Sequence, residues 1–228
     1  MSRLISPLAI GLVLLALAHA VFAWRSRDLR PDFQSIAPPP SVGSREVLSF
    51  GDHQFLYRAW ALDLQNTGDT GGRITPMGRY NYDYVMGWLE SLRALDYRAH
   101  HHAFLAANYF VLTPNAADAR RIVDFIVRDA TAAPEQKWIW LAQATSLAET
   151  RLRDLPYALE IAERVTRYDF ADTPPWILMF PAVLLEKMGR YPEARAFVED
   201  IQLRKQNILT PDDTAWAEDF LHRLPASP

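Results

Sequence analysis

The chain reads as an all-α protein, and three observations carry that expectation. From Val47 to Phe220 apolar residues return at the spacing of one helix face. Ala158, Ile161, Ala162 and Val165 fall at i, i+3, i+4 and i+7, and so do Ala194, Phe197, Val198 and Ile201. The two stripes stand 36 residues apart, and the same offset superposes Trp140–Val165 on Trp176–Ile201 without a gap, matching Trp140 with Trp176, Pro156 with Pro192, Ala158 with Ala194 and Glu163 with Glu199. No stretch alternates convincingly enough to suggest a sheet. A repeat of two helices cannot bury its apolar faces alone, so the copies are expected to stack on one another.

Taken in order, the elements begin with Leu4–Trp24, an uncharged run of 21 residues between Arg3 and Arg25. At about 1.5 Å per residue such a helix spans roughly 30 Å, the thickness of a bilayer core. The rival reading is a secretory signal cleaved after Ala18-His19-Ala20. The retained anchor is preferred because the apolar run continues through Val21, Phe22 and Trp24. Residues 1–24 are therefore expected to be a membrane anchor, with the membrane as one partner through residues 4–24. Arg25, Arg27 and Arg30 favour a cytoplasmic domain by the positive-inside rule, whereas the signal-like layout favours export. The reading adopted is a single-pass protein of a bacterial inner membrane with a periplasmic domain. Residues 25–46 read as a tether, since Pro31, Pro38, Pro39 and Pro40 deny it helical hydrogen bonds. The folded domain is expected over residues 47–224, leaving 225–228 as a tail. Within it, helix pairs are expected at Asp52–Asn66 with Tyr82–Leu95, at Ala103–Leu112 with Ala116–Arg128, and in the two clear copies, with Asp212–Leu224 as a last capping helix.

Lys187–Ala194, KMGRYPEA, resembles the turn and second-helix start of a tetratricopeptide repeat, with Ala182, Gly189, Tyr191 and Ala194 at the family spacing and Trp140 and Trp176 near the starts of first helices. The chain departs from the family in its period of 36, in Pro181, and in Arg153, which stands where Gly189 does in the next copy. The resemblance covers Trp140–Ile201 well and the upstream copies only weakly. The whole layout is similar to uncharacterised membrane-anchored repeat proteins of bacteria. It implies a right-handed stack of about four degenerate helix pairs plus a capping helix. It also implies a groove lined by the first helices, with Trp140, Gln143, Leu147, Thr150, Arg151, Trp176, Met179, Val183, Glu186 and Lys187 as partner contacts. The groove lacks the lysines and asparagines by which some family members clamp a peptide carboxylate.

A net charge of −3 leaves no basic excess for phosphates, so nucleic acid is not expected as a partner. Zero cysteines exclude disulfides, thiolate nucleophiles and thiolate metal sites. Gly68, Gly71 and Gly72 lie in a long loop that lacks the lysine and the strand of a phosphate-binding loop and does not match G-x-G-x-x-G. The glycines are expected to permit positive φ, and Asp69, Arg73 and Tyr80 are its candidate docking residues. His100, His101 and His102 point about 100° apart on a helix, and read as a polar, partly exposed helix start rather than a metal site. No carboxylate pair and no serine stands in a catalytic context. The expected function is a scaffold that binds a protein or peptide partner, with no catalysis, cofactor or metal. An all-helical hydrolase or lyase of an envelope polymer, and a structural subunit of a membrane complex, are the alternatives.

Overall fold

A computed structural model describes residues 7–26, 36–70, 73–168, 174–207 and 209–225. The chain divides into two compact units, Met1–Gln34 and Ser35–Pro228. Apart from one two-residue ladder, the regular structure described is helical. In the first unit, α1 runs Pro7–Ser26 and exposes Leu12, Leu14, Leu15, Phe22 and Trp24. The expected span began at Leu4, and residues 4–6 lie outside the described ones. Among the described residues no helix is long and apolar enough to cross a membrane.

The second unit begins earlier than the expected Val47. Ile36 is buried, Trp88 Nε1 donates to the carbonyl of Ala37 at 2.9 Å, and helix α2 (Val42–Ser49) is capped by Ser41, whose hydroxyl accepts from Ser44 N. Proline withholds a donor but leaves its neighbours' carbonyls free to accept, so part of the expected tether is built into the domain.

Side-chain caps then set the helix starts. Asp52 caps α3 (His53–Gln65), Asn81 caps α4 (Tyr82–Leu95), Asn115 caps α6 (Ala116–Ala132) and Asp154 caps α8 (Leu155–Arg167). Between α4 and α6, α5 (His101–Asn108) stops short of the expected Leu112 and finishes in a 3-10 turn, Phe110–Leu112. Helix α7 spans Pro134–Thr150. The first helix of the last pair is broken into α9 (Pro175–Leu178) and α10 (Phe180–Lys187), because Pro181 has no N–H to continue the ladder. Helix α11 spans Tyr191–Lys205, and α12 (Pro211–Arg223) opens with a capping box of Thr210 and Asp213.

Helices pack in chain order: α3 on α4, α5 on α6, α7 on α8 and α10 on α11, with α4, α6 and α8 each also touching the first helix of the following pair and α12 lying against α11. Polar contacts mark the same succession at separations of 33 to 40 residues. Arg121 pairs with Asp83, Arg128 with Glu90, Arg120 with Asp154, Tyr157 with Asp124, Trp140 with His100 and Lys187 with Glu149. Exposed pairs of this kind contribute about 0–1 kcal/mol each, so they set register more than stability.

The glycine loop closes on itself. Strands β1 (Asp69–Thr70) and β2 (Arg73–Ile74) form a two-residue antiparallel ladder, Thr75 N donates to Gly68 O at 2.8 Å, and Tyr80 Oη donates to Thr67 O at 2.9 Å. Gly68 has φ +89°, and a Cβ there would stand 1.7 Å from Tyr80 Oη. Both features demand glycine.

The turns that close α7 and α10 take the same backbone, for Arg153 has φ +55° and Gly189, 36 residues on, has φ +73°. Glycine occupies that left-handed position without the steric cost an arginine bears. Arg153→Gly is therefore expected to stabilise the protein by about 0.5–1 kcal/mol, read as a higher midpoint in urea unfolding with unchanged slope. A lower midpoint would mean that the arginine side chain supplies more than its backbone strain costs.

Candidate functional site

Among the described residues, two places gather chemically capable side chains. The first is buried. His102 on α5, Asp129 on α6 and Lys137 on α7 have no solvent-exposed side-chain surface, and Tyr57 on α3 closes the group. Asp129 Oδ1 lies 3.0 Å from His102 Nε2, and Lys137 Nζ donates to Asp129 Oδ2 at 2.6 Å. Tyr57 Oη lies 3.1 Å from His102 Nδ1 and accepts from the His102 backbone N–H at 3.3 Å. Lys137 Nζ also stands 3.2 Å from His102 Nε2, so the four side chains form one network. Arg93 on α4 adds its Nε at 3.5 Å from Asp129 Oδ1, an ion pair without a hydrogen bond.

Burial raises the Asp129 carboxyl, but the hydrogen bonds and charges of His102 and Lys137 outweigh it and hold it below the usual carboxylate range. For Lys137 burial wins over the attraction of Asp129, and its ammonium is pushed below the ordinary lysine value. Burial pushes the Tyr57 phenol up to about 12. These shifts suit an acid-base site, yet the side chains of His102, Asp129 and Lys137 are sealed from solvent. The cluster joins five helices, α3 to α7.

The expected polar, partly exposed helix start at His100–His102 is thus corrected in one member. His101 is half-buried and stacks on Phe104, and His100 accepts from Trp140 Nε1 at 2.9 Å, but His102 lies inside. The signal was in the sequence. Asp129 falls in phase with Ile122 and Ile126, and Lys137 with Leu141 and Ala144, all four wholly buried, so each charge sits on an apolar stripe.

The second place is a cleft of about 410 Å³ between α9–α10 and α12, lined by Trp176, Met179, Phe180, Val183, Asp212, Asp213 and Trp216. Trp176 leaves 55% of its surface exposed and leans on Phe180, with ring centroids 5.5 Å apart at 57°. Opposite, Trp216 stacks on Phe220 at 5.0 Å. Asp213 is held by the Thr210 hydroxyl and backbone N–H at 2.6 and 2.9 Å, whereas exposed Asp212 has no hydrogen bond or ion pair among the described residues. The arrangement suits an apolar side chain between the tryptophans with a cation beside Asp212.

The expected groove residues divide. Trp176 and Val183 reach this cleft, and Met179 contributes to its floor while being buried. Trp140 is committed to His100 and Lys187 to Glu149. Arg151 donates to the carbonyls of Val111 and Thr113 in the preceding helix pair, and Glu186 pairs with Arg223 at 3.4 Å. Gln143 and Leu147 are half-buried, and Thr150 turns its hydroxyl back to Ser146 O. Trp140, Arg151, Glu186 and Lys187 thus each contact an adjoining helix or helix pair. In the loop, Tyr80 is spent on Thr67 O, and the side chains of Asp69 and Arg73 lie outside the described residues. Sequence reasoning missed Phe180, Asp212 and Trp216, although Trp216 and Phe220 at i and i+4 already mark an aromatic face on the capping helix. Comparison with protein-family models, curated proteins and solved structures found no match.

Removing the acidic centre of the buried cluster leaves Lys137 and Arg93 without their counter-charge. Asp129→Asn is expected to cost about 3–5 kcal/mol at pH 7. Because the folded carboxyl is held low, its contribution is full above the ordinary carboxylate value and is lost as pH falls through the folded one. The gap between wild type and variant, measured by urea unfolding, is expected to narrow below about pH 4; a gap independent of pH would contradict the charge account.

Proposed function

We propose that the chain is a membrane-tethered scaffold of tetratricopeptide-like helix pairs that holds a protein or peptide partner beside a bacterial inner membrane, by binding alone. The observation that carries this reading is the open aromatic cleft of Trp176, Phe180 and Trp216, set against an acid-base cluster that is closed to substrate. An apolar pocket with two tryptophans and one unpaired rim carboxylate is the composition of an interface anchor point. A partner segment would seat an aromatic or aliphatic residue between the rings and set a lysine or arginine against Asp212.

The repeat reading is supported by the shared left-handed turn at Arg153 and Gly189 and by polar ties that recur about one repeat apart. About four pairs, α3–α4, α5–α6, α7–α8 and α9/α10–α11, with α12 as cap, make up the array. The membrane reading is supported by the 21-residue uncharged run Leu4–Trp24, and by exposed leucines and phenylalanine along the described part of α1. A helix apolar on all sides has its partner in lipid or in protein. The periplasmic placement rests on the signal-like start of the chain.

A photoreactive amino acid placed at 176 or at 216 in the full chain, in cells, is expected to yield one shared protein adduct, and the same group at exposed Glu160 to yield none. No adduct at either cleft position, or the same adduct at all three, would remove the cleft as the contact surface. Trp216→Ala is expected to abolish the adduct formed from 176 while helical content is kept.

A further inference from the structure

The corner between α2 and α3 carries an apolar surface that the scaffold reading does not use. Val47 is 71% exposed, Phe50 88% and Phe55 63%, and Leu48 is exposed beside them. The corner is firmly built. Ser49 is buried, its hydroxyl donates to Glu46 O and accepts from Gly51 N, and Asp52 N donates to Ser49 O at 2.7 Å. Phe50 closes α2 in the left-handed region, φ +48°, which a bulky residue rarely adopts. A strained backbone therefore holds an aromatic ring out at the tip of a rigid turn.

Chain length points to what covers it. Only nine residues separate Ser26, the last of α1, from Ile36, which is buried in the domain, ten steps of chain with a reach of at most about 36 Å. Trp88 then pins Ala37, and Ser41 starts α2, so the apolar corner belongs to the part of the domain that the N-terminal run enters. The charges around it are mixed, with Arg45 and Arg58 against Glu46, which pairs with His53 at 3.5 Å, and Asp52, which caps α3. Such a surface has little to offer a strongly charged partner. Protruding phenylalanine and aliphatic side chains among balanced charges match the headgroup boundary of a bilayer.

We infer that the α2–α3 corner inserts Phe50, with Val47, Leu48 and Phe55, into the membrane interface. This rests on the anchor reading of Leu4–Trp24, and it makes the corner a second, shallow contact that orients the domain over the lipid.

The absence of cysteine gives a clean test. Full-length protein carrying a single cysteine at 22, 50 or 203, each bearing an environment-sensitive fluorophore, is reconstituted in phosphatidylcholine vesicles with and without brominated acyl chains. Leu203, 72% exposed on α11, is the remote control. The expected result is loss of fluorescence to brominated lipid at 22 and at 50, and none at 203. Quenching at 22 alone overturns the inference while leaving the anchor in place, and absence of quenching at 22 overturns the anchor itself. Equal quenching at 50 and 203 means unspecific adsorption and also overturns it, as does an unquenched blue shift at 50 that vanishes on dilution, which marks self-association.

Discussion

Asp129 places a carboxylate where no water reaches, and the helices around it stand where that charge can be answered. His102 answers from α5, Lys137 from α7 and Arg93 from α4, while Tyr57 on α3 completes the histidine's hydrogen bonds. A charge taken out of water costs several kcal/mol unless its partners have good geometry, so a slip of one residue in any of these helices would carry a large penalty. The apolar surfaces around the cluster, from Leu89 through Phe125 to Leu141, supply the driving force but are more tolerant of sliding. The cluster thus acts as a key, and an arrangement that resembles acid-base machinery is spent on assembly.

Polar side chains elsewhere in the helical domain follow the same logic. The residues most suited by type to grip a partner, Trp140, Arg151, Glu186 and Lys187, are engaged with an adjoining helix or helix pair. What is left open lies at the far end, where Pro181 breaks the last first helix and α12 leans over the gap.

Much of the architecture was legible because helical periodicity and capping are local. Asn81 before α4, Asn115 before α6 and the Thr210-Pro211 start of α12 all announce themselves within four residues. The 36-residue offset went further, since it aligned Arg153 with Gly189 and both turn out to be left-handed. What was not legible depends on partners distant in sequence. Ile36 reads as tether until Trp88 is seen holding Ala37, 51 residues away. His102 reads as surface until Asp129 and Lys137 arrive on two other helices. A charge in phase with a buried stripe was the available warning, but the stripe alone does not say which residue answers it.

If the buried key governs the array, stability must be greatest around Asp129 and fall toward the ends. Residue-by-residue amide hydrogen exchange on the full chain measures this directly. The account requires the amides of α5, α6 and α7 to exchange only through global unfolding, while α2 and α12 open locally at lower free energy. Uniform protection from α2 to α12, or local opening within α6, would contradict it.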